Sequence, residues 1–176
     1  MESTTQADTS VLRVLFYHNT WANLKLLDFC EALSDEQLDT AAIGGFGSIR
    51  KTLMHIVSGE TSYVYRVNGR RTDNPPPWGV FPGFAALKRI ARWTGDELLQ
   101  LALSARANTI VEESDPDLKL MVRYPLASLM LQAINHATEH RTQVSTIITQ
   151  LGLEPPDMSG WQYMVDSGEF QETPIP

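Results

Sequence analysis

The chain has 176 residues, 43% of them hydrophobic, which suits one well-filled core and is too short for two ordinary domains, so residues 1–176 are expected to form a single domain. Asp and Glu number 21 against 14 Lys and Arg, a net charge of −7, which leaves no basic surface for phosphates and argues against nucleic acid as a partner. The single Cys30 excludes an internal disulfide framework and a cysteine-rich zinc site, while no run approaches the roughly 20 apolar residues of a membrane span and Met1 to Ser10 does not resemble a signal peptide, so a soluble cytoplasmic protein is expected.

Helical periodicity begins at about Thr9. Val11, Leu15, His18, Ala22, Leu26, Phe29 and Leu33 follow steps of four and three, the spacing of a buried helix seam, and predict a first helix to Leu33 with Cys30 as an inert, buried thiol. Ser34 to Leu38 can form a short turn of its own before Gly44, Gly45 and Gly47 break the pattern. Ser48 then stands as an N-cap. A second helix is expected from Ile49 to Asn68, with Ile49, Leu53, Ile56, Val57, Val64 and Val67 on its apolar side.

The run Asn74-Pro75-Pro76-Pro77-Trp78-Gly79 cannot continue a helix, because prolines lack the amide donor and favour extended backbone. A third helix is expected from Phe84 to Val111, with Gly95 as a point of interruption. Leu118 to Leu126 alternates weakly and reads as a short hairpin. A fourth helix starts near Ala127, carries Leu129, Ala133, His136, His140, Val144, Ile147 and Leu151 on one stripe, and stops at Gly152 before Pro155-Pro156. The predicted core spans about residues 9–152. Beyond it, Trp161 and Tyr163 suggest that the first part of the tail packs back on the body while the last residues fray. The fold class is all-α, with no internal repeat.

His136 and His140 interrupt a stripe that would otherwise be apolar. Residues four apart on a helix can converge on one ion, so a metal is a chemically suitable partner for the pair. His55, in the second helix, has Lys51, Thr52, Ser58 and Gly59 as helical neighbours, small or polar residues that leave room beside an imidazole. If the second and fourth helices pack side by side, His55, His136 and His140 supply three neutral nitrogen ligands from facing helices. Such a set leaves a divalent ion with its charge and an open position, where a bound water or thiol is acidified.

Alternatives stay open at this point. The histidines could simply hydrogen-bond to other buried groups, and His136-Ala137-Thr138-Glu139-His140 is not the zinc-protease pattern, which puts the glutamate beside the first histidine. His18 could be a fourth ligand, line a pocket or be a satisfied core residue. Glu60, one turn beyond His55, is the candidate catalytic residue for proton handling, or an acceptor behind a ligand, or the partner of an arginine such as Arg66. Glu139 and Arg141 flank the ligand face and are expected at an interface or the surface. Tyr17, Trp21, Trp78 and Trp161 either wall a pocket or serve plain packing.

Three blocks of the chain carry a resemblance: His18-Asn19-Thr20-Trp21-Ala22-Asn23, Gly47-Ser48-Ile49 through Thr52-Leu53-Met54-His55, and Asn135-His136-Ala137-Thr138-Glu139-His140-Arg141. In order and separation they resemble the DinB/YfiT-like family of metalloenzymes. The resemblance implies a four-helix bundle, often a homodimer, with a mononuclear site at His55, His136 and His140, and relatives that include S-transferases and isomerases using low-molecular-weight thiols. His18 stands where a tyrosine is common, and a fourth imidazole at the metal would close the site. The leading expectation is therefore an enzyme holding zinc, nickel or a similar divalent ion that activates water or a low-molecular-weight thiol against a small electrophilic substrate, in transfer or hydrolysis. Two others remain: a stress-response protein whose ion is only structural, and a helical interaction domain with no metal.

Overall fold

The computed structural model describes residues 9–106, 108–115, 119–173 and 175. Its elements in order are α1 (Thr9–Cys30), α2 (Asp35–Leu38), α3 (Ile49–Asn68), α4 (Phe84–Ser104), β1 (Ile110–Asp115), β2 (Leu120–Pro125), α5 (Leu126–Gln150) and α6 (Gly160–Asp166). The protein is mostly helical, with one small antiparallel hairpin in which Val111 faces Tyr124 and Glu113 faces Val122. Among the long helices, α1 packs on α4 and α5, and α3 packs on α4 and α5. The α3–α5 contact expected from the histidine positions is therefore present.

Local chemistry sets the ends of these helices. Ser48 caps α3 by accepting the Lys51 amide, and Gly69 closes it in the left-handed conformation at φ 68°, which costs a glycine little. Ser34 and Gln37 form a reciprocal capping box around α2, so the short turn expected from Ser34 to Leu38 is a real element. Two apolar clusters fill the interior. Leu26, Leu53, Ile90 and Ile147 belong to one and Phe16, Val64, Leu98 and Ala133 to the other.

Several boundaries differ from those the sequence predicts. The third long helix ends at Ser104 rather than Val111, and residues 110–115 become the first strand of the hairpin, because pairing with β2 gives those backbone groups better partners than an isolated helical end. Gly95 does not interrupt α4. It is buried, and a Cβ at that position would run into the Thr20 side chain, so the glycine permits a close approach of α1 and α4. The expected seam of α1 also shifts in its first half. Val11, Leu15 and Tyr17 are exposed, whereas Phe16, Asn19 and Asn23 are buried; a hydrophobic count follows the apolar residues and overlooks buried asparagines.

Met158 and α6 pack the first part of the tail onto α1, through His18 and a Lys25–Asp166 ion pair of 2.7 Å. The expected fraying of the last residues touches positions 174 and 176, which lie outside the described residues, as do residues 1–8. No helix among the described residues is long and apolar enough to cross a membrane. Cys30 is buried, and burial pushes its thiol pKa up to about 12, which leaves it protonated and unreactive.

A candidate metal centre between α3 and α5

His55 comes from α3, and His136 and His140 come from consecutive turns of α5. One ligand atom from each lies within 4.8 Å of the other two. Nε2 of His136 is 3.0 Å from Nε2 of His55, and the ring of His140 stands edge-on to both others, 4.6 Å from His55 and 4.5 Å from His136 between centroids. Imidazole nitrogens sharing a tetrahedral ion at roughly 2.0–2.1 Å would be separated by about 3.3 Å. The His55–His136 pair, at 3.0 Å, is already close to that spacing, and the His140 ligand atom lies within 4.8 Å of both.

A glycine makes the approach possible. A Cβ on Gly59 would lie 2.8 Å from Cε1 of His136, so the room the sequence offers next to His55 is filled by the ring of His136 instead. Tyr63, one turn further along α3, meets the same ring edge-on at 5.7 Å. Nδ1 of His136 is buried without a hydrogen-bond partner. Burial, together with the neighbouring histidines, pushes the His136 pKa down to about 4, and burial followed by His140 and Lys51 lowers that of His55. Both imidazoles are thus neutral near pH 7, the form that ligates metals.

Gln143 orients the third ring. Its Oε1 accepts from the Phe46 amide at 3.2 Å and from Nδ1 of His140 at 2.9 Å. An oxygen facing two N–H groups must be the acceptor, which places the His140 proton on Nδ1 and leaves Nε2 with a free lone pair. Where Nε2 of His55 and Nε2 of His136 meet at 3.0 Å, the two lone pairs need either a proton between them or a shared cation. The residues fit a divalent ion.

Phe46 covers the cluster. Its ring stacks on His55 at 3.8 Å with an interplanar angle of 16°, and meets His140 edge-on at 5.2 Å. The glycine-rich segment that carries it is closed by a bridge between Ala41 and Ser48, and Gly44 there adopts φ 82°.

The other expected participants lie elsewhere. His18 gives Nε2 to the Met158 carbonyl at 2.9 Å and packs between Trp21 and Tyr163, so it is not a fourth member of the cluster. Glu60 is 1% exposed, and its carboxylate turns toward α1 and α4 rather than toward the histidines. Its Oε1 accepts from Asn19 Nδ2 and Asn23 Nδ2, both at 2.8 Å, and its Oε2 accepts from Thr94 at 3.3 Å. Arg66, its suggested partner, pairs with Glu113 of β1 instead.

Arg141 is the charged counterpart of Glu60, although the two do not touch. Its Nη1 donates to the Oδ1 atoms of Asn19 and Asn23 at 2.9 and 2.7 Å, and its Nη2 to Thr138 at 2.9 Å. Two carboxamides thus stand between a buried carboxylate and a buried guanidinium. Arg141 is 4% exposed, against the surface role its place beside His140 suggested, and burial lowers its pKa to about 10. Desolvation raises the pKa of Glu60 despite its hydrogen bonds and the Arg141 charge.

Of the pocket-wall candidates, Trp21 packs on His18 and Tyr163, while Trp161 is exposed. Sequence reasoning did not find Gln143, Phe46 or the two asparagines. Gln143 had a readable signal, since it follows His140 by three residues on one helix face. Phe46 had only its isolation among glycines.

A family model described as the DinB family matches residues 1–169. A search of curated proteins finds no match.

Proposed function

The chain belongs to the DinB family, and from that premise we propose that it is a metal-dependent enzyme built as a four-helix bundle from α1, α3, α4 and α5. His55, His136 and His140 hold a divalent ion, zinc, nickel or similar, and the reaction is transfer to, or hydrolysis of, a small electrophilic molecule. The observation that carries this reading is the convergence of three imidazoles from two helices, one with its tautomer set by Gln143. An ion held there would supply Lewis acidity to a water or a low-molecular-weight thiol.

The chain's own residues prepare that chemistry. Gln143 and Gly59 orient the ligands, and Phe46 shields one side of the cluster from water. No fourth ligand side chain joins the three among the described residues, which supports an open position rather than a closed structural site. Glu60, expected to handle protons, is assigned a positioning role instead: through Asn19, Asn23 and Arg141 it links α3 to α1 and α5. The protein is proposed to work in the cytoplasm and as a homodimer, the dimer being supported by the exposed apolar residues Val11, Leu15, Leu131 and Trp161.

The test is a screen of metal-loaded protein with thiol and electrophile pairs and with hydrolysable esters. Turnover that chelation abolishes and metal restores is the expected result. A chelated protein that melts earlier, with no turnover under any metal, would assign the ion a structural role.

A further inference from the structure

Phe46 is a large apolar residue that stands 40% exposed and belongs to neither apolar cluster among the described residues. Its ring lies on the candidate metal centre instead, stacked on His55 at 3.8 Å and edge-on to His140 at 5.2 Å between centroids. A core aromatic is fixed by close packing on every side. This one is held by the histidines it covers.

The segment that carries the ring is anchored at its base and free above it. The Ala41–Ser48 bridge and a 3.1 Å hydrogen bond from the Ile49 amide to the Thr40 carbonyl pin the two ends together, and Ala42 packs on the core. Beyond them Ile43 is fully exposed, Gly44 turns the chain at φ 82°, and glycines flank Phe46 on both sides, where they leave the backbone free to pivot.

Two further contacts hold the ring down. Its amide donates to Oε1 of Gln143 at 3.2 Å. Lys51 lies along the strap, since a Cβ on Gly47 would come within 2.9 Å of Lys51 Cδ, and its ammonium reaches 5.5 Å from the Phe46 centroid, a cation–π contact. Each of these contacts is weak alone, so the strap can open locally while α3 and α5 stay folded. The far side of the cluster has no such freedom: the ring of His136 lies against Gly59 and Tyr63 of α3, with Nδ1 buried.

We propose that residues 43–47 form a lid over the three histidines, with Phe46 as its closing ring and Lys51 as its latch, and that an ion or a small ligand reaches the histidines when it opens. The inference rests on the metal-site reading and adds to it the step that governs exchange.

Stopped-flow mixing of metal-stripped protein with cobalt(II), and of cobalt-loaded protein with excess chelator, reads entry and exit separately. A lid closes over the loaded and the metal-free cluster alike, so removing its ring speeds both directions by one factor and leaves their ratio, the affinity, in place. Phe46→Ala keeps the amide bond to Gln143 and is expected to accelerate both steps roughly tenfold, the scale of one aromatic contact. Lys51→Gln should accelerate both about threefold, and Ile43→Ala, on the same strap, neither. Unchanged rates in Phe46→Ala, a change confined to one direction, or an equal acceleration in Ile43→Ala would overturn the lid; unchanged rates in Lys51→Gln would overturn the latch. If the wild type takes up no cobalt, the metal reading fails separately, and the lid is decided on the histidines themselves. Diethyl pyrocarbonate acylates accessible neutral imidazoles, and peptide mass spectrometry should then show His55 modified several-fold faster in Phe46→Ala than in the wild type, whereas equal rates overturn the lid.

Discussion

His140 and Arg141 are consecutive on α5, and their side chains serve different sides of it. His140 joins His55 and Phe46 in the histidine cluster, while Arg141 reaches Asn19 and Asn23 of α1. One helical step therefore carries both a ligand and the anchor that fixes the rotation of the helix presenting it. Arg141→Met would leave Glu60 buried without its counter-charge, and the expected loss is about 3 kcal/mol or more of unfolding free energy in urea. Adding Glu60→Leu should recover part of it, since the uncompensated charge is then gone. Losses that simply add would show that the two groups are not coupled through the asparagines.

Gly59→Ala separates folding from ligation. Alanine favours a helix over glycine by up to about 1 kcal/mol, but its Cβ would lie 2.8 Å from Cε1 of His136. The ring can swing aside at little cost to folding and at a large cost to the cluster. Near-unchanged melting of the metal-free protein with a roughly tenfold weaker metal affinity is expected, by analogy with displaced ligand shells. Unchanged affinity would mean that the ring position is not the ligating one.

Gln143→Leu removes the oxygen shared by the Phe46 amide and the His140 ring. Second-layer partners of this kind are typically worth 10–100-fold in metal affinity, and a competition titration against a chelator should show a loss in that range. An effect below threefold would assign the orientation of His140 to packing alone.

The metal-free protein should lose stability in mild acid. His136 has a folded pKa of about 4, below the ordinary imidazole value near 6.5, so between these limits the unfolded chain binds the proton more readily. The contribution is fully present above about pH 6.5 and is lost as pH falls toward about 4. Melting temperature recorded across that window should decline in the wild type and less steeply in His136→Gln. Parallel slopes would remove His136 as a source of the dependence.

The ligands were legible in the sequence because their spacing obeys helix geometry: His136 and His140 are four apart, and the only assumption needed was that α3 lies beside α5. The long helices were legible for the same reason, through their apolar stripes, caps and prolines. What the sequence concealed depends on partners distant along the chain. Val111 could be placed in a strand only by knowing that β2 pairs with it. Asn19 and Asn23 look like surface residues until a buried Glu60 and Arg141 are found on other helices, and Glu60 read as a proton carrier because its neighbour in sequence, His55, is not its neighbour in space. His18 likewise sits near the family pattern yet belongs to the tail, through Met158.

The central claim is that three histidines of this chain hold one divalent ion. Elemental analysis of the purified protein, beside His136→Ala prepared identically, tests it most directly. The account predicts close to one equivalent of a divalent metal in the wild type and a large loss in the variant, whereas equal metal content in the two proteins would contradict it.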